Sequence, residues 1–390
     1  MIVFTTLMIF GCFGFFVPKM YLKRYMLLSA VCISSLYFFF TPLPGYDLTR
    51  HYELLHILRR LDLKSVLSGT EKIANRLLRQ YTENSRLYLI YAFLISKLKI
   101  DAFLPVITGT IIYASASSII MMSAEDFGEE IESWKISFCF FFMLMLTDFR
   151  TVSGIRNMLA FSLFAYVLYY DLVRNAGKFW CFLAYFLLAN IHTSIYLLIV
   201  IRLLTSLGKI VPKWLLMVVS FVSQSFLDSI IQFLTRVGDV PLAQSLLEKI
   251  NIYVISGGTQ YIMIRGAAHF ILILIQMAIF LYVLRNQYMN KKFKHYGDFY
   301  LFTILFALGA IRQYDIFVRS YMLIVFMVSP FLLSFLNNAV GEMPNELILS
   351  KRSLIGFREV CLYLMCIAAV ILSMIMYYRG FYTPMDSGFI

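Results

Sequence analysis

Arg150, Arg156, Arg265, Arg312 and Arg319 each stand at or near the end of an apolar run. A guanidinium stays charged at any relevant pH and grips phosphate through a two-pronged hydrogen bond. A group of them at a membrane surface therefore suits a lipid-linked phosphate or diphosphate. Each alone has an ordinary alternative, which is to snorkel to the interface or to pair with a carboxylate such as Asp148 or Asp315. His192 lies in LANIHTSIYLL, inside the apolar stretch 178–207. Neutral imidazole accepts a proton near pH 7, so His192 suits a general base or a group that positions a hydroxyl. It equally suits a packed residue that caps the turn at His192-Thr193-Ser194. A third group follows the Pro and Gly of PLPGYDLTRHYE, which end a helix. Asp47 there can orient a hydroxyl or remove its proton. Tyr52 and Glu53 stand close enough in sequence to position an acceptor. Asp47 or Thr49 would also serve as an N-cap.

The elements that must position these groups are membrane helices. Hydrophobic residues make up 61% of the 390 and charged residues 14%. A soluble domain carries roughly 25% charged residues, so this chain lacks the charge to cover a soluble surface. Mean hydropathy is +0.78. Twelve segments read as spans: about 2–17, 25–41, 102–122, 134–149, 156–172, 178–191, 193–208, 213–234, 266–284, 298–312, 317–336 and 358–378. The expected fold is all-α, a polytopic bundle of about 12 transmembrane helices forming one domain over 1–390. Segment 86–97 is apolar but too short to cross, and suits a re-entrant or interfacial element. Residues 48–66 alternate apolar and basic residues at helical spacing, as an interfacial helix does.

Lys and Arg set the orientation. Basic loops near 19–24, 174–178, 209–213, 285–294 and 351–358 fall on one side if there are twelve spans, and that side is then the cytoplasm. The other face carries the segments about 42–85 and 236–265, both termini, and the five arginines. The net charge of +12 belongs to these loops and points to no nucleic acid. The N-terminus has no basic stretch ahead of its apolar run and reads as the first span, not as a cleavable signal. The acidic run Glu125, Asp126, Glu129, Glu130 and Glu132 reads as a solvated loop. Cys12, Cys32, Cys139, Cys181, Cys361 and Cys366 lie in apolar segments without ligand spacing, and no nucleotide loop or nucleophile elbow occurs. No metal and no cofactor are expected.

Four stretches carry a resemblance when taken in order. They are Gly45-Tyr46-Asp47 with Tyr52, Gly154-Ile155-Arg156-Asn157-Met158-Leu159-Ala160, Leu188-Ala189-Asn190-Ile191-His192-Thr193-Ser194, and Arg312 with Arg319. Together they resemble the Wzy-type polymerases of O-antigen and capsular polysaccharide, in particular their EpsG-like branch. The interval from Asp47 to Tyr52 is one residue longer than is usual there. The resemblance implies a GT-C-like helical enzyme of the bacterial cell (inner) membrane, active at the external, periplasmic face. Its substrate would be undecaprenyl-diphosphate-linked oligosaccharide, transferred onto a lipid-linked repeat unit. A membrane protein that regulates chain length would be its protein partner. An O-antigen ligase would use the same Arg and His logic with another acceptor. A flippase of lipid-linked sugars would show an inverted repeat and polar residues at the midplane. A membrane acyltransferase would need His192 on the cytoplasmic side.

Overall fold

The computed structural model describes residues 2–40, 42, 47–68, 78, 81, 85–127, 131–147, 154–208, 210–222, 262–285, 291–311, 314–341, 364 and 367–372. Its helices are α1 (Ile2–Phe13), α2 (Lys19–Ser35), α3 (Asp47–Arg59), α4 (Leu63–Ser68), α5 (Arg86–Ser96), α6 (Phe103–Asp126), α7 (Ser133–Leu146) and α8 (Ile155–Leu172). There follow α9 (Lys178–Ala189), α10 (Ile195–Leu207), α11 (Lys213–Val222), α12 (Ile262–Arg285), α13 (Lys294–Gly309), α14 (Tyr314–Met327) and α15 (Ser329–Gly341). Among the described residues there is no strand.

The chain is an all-helical membrane protein. Three helices are long and apolar enough to cross a bilayer: Lys19–Phe39, Phe103–Asp126 and Ala267–Arg285. A fourth crossing arises if Ile316–Met327 and Ser329–Asn337 act as one span bent by 47°. The bend has a cause in sequence, because Pro330 has no N–H to donate and its ring clashes with the carbonyl four residues back. Thr5–Phe16, Ser133–Leu146, Lys178–Ala189, Ile195–Leu207 and Lys213–Val222 are apolar but shorter. Each expected span contains a helix among the described residues, with 317–336 broken at Val328, while 41, 148–149, 223–234, 312 and most of 358–378 lie outside them.

Lipid tails are as apolar as leucine, so helices in a bilayer associate through close fit and hydrogen bonds. The pair α2–α6 shows both. A Cβ on Gly109 would stand 2.8 Å from the Tyr37 ring and 2.9 Å from Ser34 Oγ, so only glycine permits this approach. The Tyr37 and Tyr113 hydroxyls bond across it at 2.9 Å. Three polar side chains of α6 are satisfied within the helix: Thr108, Ser115 and Ser123 each donate to the carbonyl four residues back, at 2.7 Å.

The charge pattern of the loops predicts that they share one side, and packing gathers the described ones at one end of the bundle. Ser137 at the start of α7 donates to the Gly14 carbonyl after α1, at 2.7 Å. Lys135 reaches Asn337 near the end of α15, at 3.0 Å. Lys213 pairs with Asp298 at 2.7 Å, joining the starts of α11 and α13. Asp126 accepts from Tyr169 (3.0 Å), from Arg174 after α8 (2.8 Å) and from Lys292 before α13 (2.7 Å). Glu125 also pairs with Arg174, at 2.8 Å.

Two expectations change. Glu125 and Asp126 are not a solvated loop but the last turn of α6, and Asp126 ties three elements together. Residues 48–66 are amphipathic, but α3 covers its apolar face (Leu48, Leu54, Leu55, Leu58) by packing against α5. They also do not form one helix, since α3 stops at Arg59 and α4 begins at Leu63.

Near the same end lies a buried ion pair that joins α8 to α10. Arg202 donates to both Asp171 oxygens, from Nε at 2.6 Å and from the terminal nitrogen at 3.1 Å. Tyr185 of α9 donates to Asp171 at 3.0 Å, and Arg202 also reaches Ser206 at 2.8 Å. Removing one partner leaves a buried charge alone, which typically costs about 3–5 kcal/mol, whereas replacing both with apolar residues is often neutral. Asp171→Leu should therefore lower the thermal midpoint of the detergent-solubilised protein, and adding Arg202→Met should restore most of the loss. Equal midpoints for wild type and Asp171→Leu would show that the pair contributes nothing.

Candidate functional site

The end of the bundle opposite those loops holds the start of α3, the start of α5, the start of α8 and the turn between α9 and α10. α3 opens at Asp47, so Asp47 and His51 share one face one turn apart. That face turns inward: His51 is wholly buried, while the Asp47 side chain remains 43% exposed. His51 Nε2 stands 3.4 Å from Asp47 Oδ2, an ion-pair distance at which it completes no hydrogen bond among the described residues. The other ring nitrogen, Nδ1, meets the Tyr88 hydroxyl at 3.0 Å and the Tyr81 hydroxyl at 3.1 Å. Tyr88 comes from α5, which packs along α3.

The two tyrosine rings carry the third member. Arg156 is the second residue of α8, and its guanidinium carbon lies 5.1 Å from the Tyr81 ring centre and 5.9 Å from that of Tyr88. One terminal nitrogen donates to Ser85 Oγ at 3.1 Å, at the N-cap of α5. Its Nε is buried and finds no hydrogen-bond partner among the described residues, and neither does the buried Oδ1 of Asn157 beside it. Arg59, Arg174 and Arg202 all close on carboxylates. Among the described residues, no carboxylate pairs with Arg156, whose contacts are a hydroxyl and two aromatic faces. Such a cation over aromatic rings is held in place but not neutralised.

Asp47 responds to these neighbours. Burial acts to raise its carboxyl, but the adjacent His51 ring, with the charges of Arg156 and Arg50, outweighs this and holds it below the ordinary carboxylate value. The site thus presents an ionised, partly exposed carboxylate beside a guanidinium with spare hydrogen-bonding capacity. One can take up a hydroxyl, the other an anion.

His192 lies where α9 ends at Ala189, before α10 begins at Ile195, so the apolar stretch 178–207 does break at the polar triplet. It is 5% exposed. Its Nδ1 accepts the Ser194 backbone N–H at 3.2 Å, and its ring meets Phe161 edge-on at 6.4 Å. Phe161 follows Arg156 by five residues on α8, a rise of about 7.5 Å. His192 therefore lies deeper along the same helix, and it also caps its own turn.

Arg319 is on α14, which packs against α8 and starts at the same end of the bundle. Arg150 and Arg312 lie outside the described residues, and Arg265 is on α12 with its side chain outside them. The Tyr52 hydroxyl is buried and makes no hydrogen bond among the described residues. Burial and the field of Asp101, which His56 and Arg59 grip, raise its phenol. Glu53 is exposed. Sequence reasoning missed His51, Tyr81, Tyr88 and Ser85; the four-residue interval from Asp47 to His51 was the one available signal. No family model, curated protein or solved structure matches the chain.

Because the folded state holds Asp47 below its unfolded value, the associated stability is fully present above the ordinary carboxylate pKa of about 3.9. It drains away as pH falls through the lower folded value. The thermal midpoint of wild type should exceed that of Asp47→Asn between pH 5 and 8 by a constant margin, and the two should converge below about pH 3. A margin that grows on acidification would reverse the sign and reject the assignment.

Proposed function

We propose that the chain is a polysaccharide polymerase of the bacterial cell membrane, acting on undecaprenyl-diphosphate-linked glycan. The glycan leaves its diphosphate lipid and joins a hydroxyl of a lipid-linked repeat unit. On this reading the chain crosses the membrane about twelve times in a GT-C-like arrangement. The end with the basic loops faces the cytoplasm and the end with Arg156 faces outward. The observation that carries the reading is Arg156, a guanidinium with no carboxylate partner among the described residues, set beside the ionised Asp47.

The chemistry follows from those two groups. Cleaving the glycosyl phosphate bond develops charge on the departing diphosphate, and a preorganised guanidinium stabilises it where water is scarce. Arg319, with Arg150, Arg265 and Arg312, would complete the anion site. The acceptor hydroxyl must lose its proton as the new bond forms, to Asp47 or to His192. The diphosphate supplies the driving force, so the reaction needs no nucleotide.

The test is the surface glycan of a strain lacking this protein, complemented with variants. The deletion strain should display single repeat units in place of polymer. Arg156→Lys should fail to restore length at normal membrane abundance, since an ammonium keeps the charge but loses the fork. Full-length polymer from Arg156→Lys would remove the diphosphate role.

His192→Ala separates two further possibilities. Loss of a general base costs about 10²–10⁴-fold in rate, giving short glycan at normal abundance. Loss of the cap at Ser194 lowers abundance instead. Normal abundance with normal polymer leaves Asp47 as the base.

One observation favours a second reading, translocation of the same lipid-linked sugars. Around the bend between α14 and α15, Ser329 Oγ, Gln276 Oε1 and the hydroxyls of Tyr296 and Tyr300 are buried without hydrogen-bond partners among the described residues. A broken helix near unsatisfied polar groups is how transporters build substrate sites. A deletion strain with no glycan on any external carrier would select this reading over the polymerase.

A further inference from the structure

We infer that His51 is a positioning residue for Asp47, with its ring hydrogen on Nε2, the nitrogen beside the carboxylate, and its Nδ1 accepting from Tyr88 or Tyr81. The inference rests on the proposed polymerase reading for its catalytic consequence, but the hydrogen placement stands on geometry alone. A neutral imidazole has one nitrogen that donates and one that accepts. Nδ1 faces two hydroxyls, 3.0 and 3.1 Å away, and either can donate to it. Nε2 is buried, stands 3.4 Å from Asp47 Oδ2 as an ion-pair contact, and completes no hydrogen bond among the described residues. An ionised carboxylate accepts and never donates. For a neutral ring, a bare Nδ1 that accepts from one of the two hydroxyls leaves the hydrogen on Nε2, whereas a hydrogen on Nδ1 would set the bare Nε2 lone pair against a carboxylate. The state of the tyrosine agrees with this: burial raises the Tyr88 phenol well above its ordinary value, so it keeps its hydrogen.

The arrangement joins the two ends of the site. Tyr81 and Tyr88 hold His51 through their hydroxyls and carry Arg156 on their faces. His51 in turn fixes one oxygen of Asp47, leaving the other for a substrate hydroxyl. The carboxylate and the guanidinium are thereby set against each other through one buried side chain, at a separation fixed before substrate arrives. Preorganisation of this kind matters because a misplacement of about 1 Å can cost about 10²-fold in rate.

Two measurements on the full chain in detergent test it. The first is nitrogen NMR of protein labelled at histidine, with His51→Gln to assign the signal among the five histidines. The expected result is hydrogen on Nε2 and a bare Nδ1. Hydrogen on Nδ1, on both nitrogens, or averaged between them overturns the inference. This measurement needs no activity, so it holds whether or not the polymerase reading survives.

The second is elongation of an undecaprenyl-diphosphate-linked repeat unit. His51→Ala should lower turnover about 10²-fold with little change in KM. His51→Gln, whose amide can donate to Asp47, should recover part of that loss. Wild-type turnover in His51→Ala, or no recovery with Gln at equal abundance, overturns the positioning role. Absence of elongation by wild type would count against the polymerase reading and leave the NMR result to decide the hydrogen.

Discussion

A charge in a low-dielectric bundle needs a partner, and α8 meets that demand differently at its two ends. Asp171 lies near one end, Arg156 at the other, about 22 Å apart along the axis. Asp171 is closed: Arg202 takes both oxygens and Tyr185 adds a third bond. Arg156 is left open, resting on Tyr81 and Tyr88 with one bond to Ser85. The closed end makes a rigid joint of α8, α9 and α10. The open end keeps binding capacity in hand, because its support comes from quadrupoles and a hydroxyl, not from a compensating charge. The difference between the two ends is what separates scaffold from site here.

The same contrast orders the rest of the bundle. At the end with Asp171, acidic and basic side chains from the end of α6, from just after α8 and from just before α13 tie together at Asp126. These ties hold the helix ends in register without any ligand. At the opposite end the polar atoms of Arg156 and Asn157 are not all satisfied among the described residues. Buried polar atoms without partners are rare in a stable fold, and each one calls for a ligand, a water or an ion. Arg156 Nε is such an atom, whereas every polar atom at the Asp171 joint has a partner.

Much of the fold was legible because bilayer helices are written as apolar runs. The break at His192 was visible because three polar residues interrupt a stretch too long for one helix and too short for two generous ones. The onset of α3 at Asp47 followed from the Pro and Gly before it. The bend at Pro330 was equally visible in principle, but 317–336 was counted as one span on hydropathy alone. The site was harder to read. Asp47 and Arg156 were identified singly, from charge at a span end. His51 was passed over because its role depends on Tyr88, 37 residues away, which no local pattern connects to it. Asp126 was read as solvated because its partner Lys292 is 166 residues distant. Arg202 carries no signal of this kind, because it lies inside the run IYLLIVIRLLTSL and not at a helix end.

That division has a physical basis. Span location is set by local free energy of transfer, which composition records directly. Side-chain partnership is set by which helices touch, and in a bilayer that is decided by small residues and shape more than by hydrophobicity. Gly109 admits Tyr37 and Ser34, and a Cβ at Gly309 would overlap the Phe221 carbonyl oxygen. Such contacts fix the lateral order of the helices and, through it, which polar residues meet. An arginine at a span end is therefore only a candidate until its neighbours are known. In this chain the neighbours sort the described arginines, and Arg156 is the one set against aromatic faces with the Asp47 carboxylate in its field.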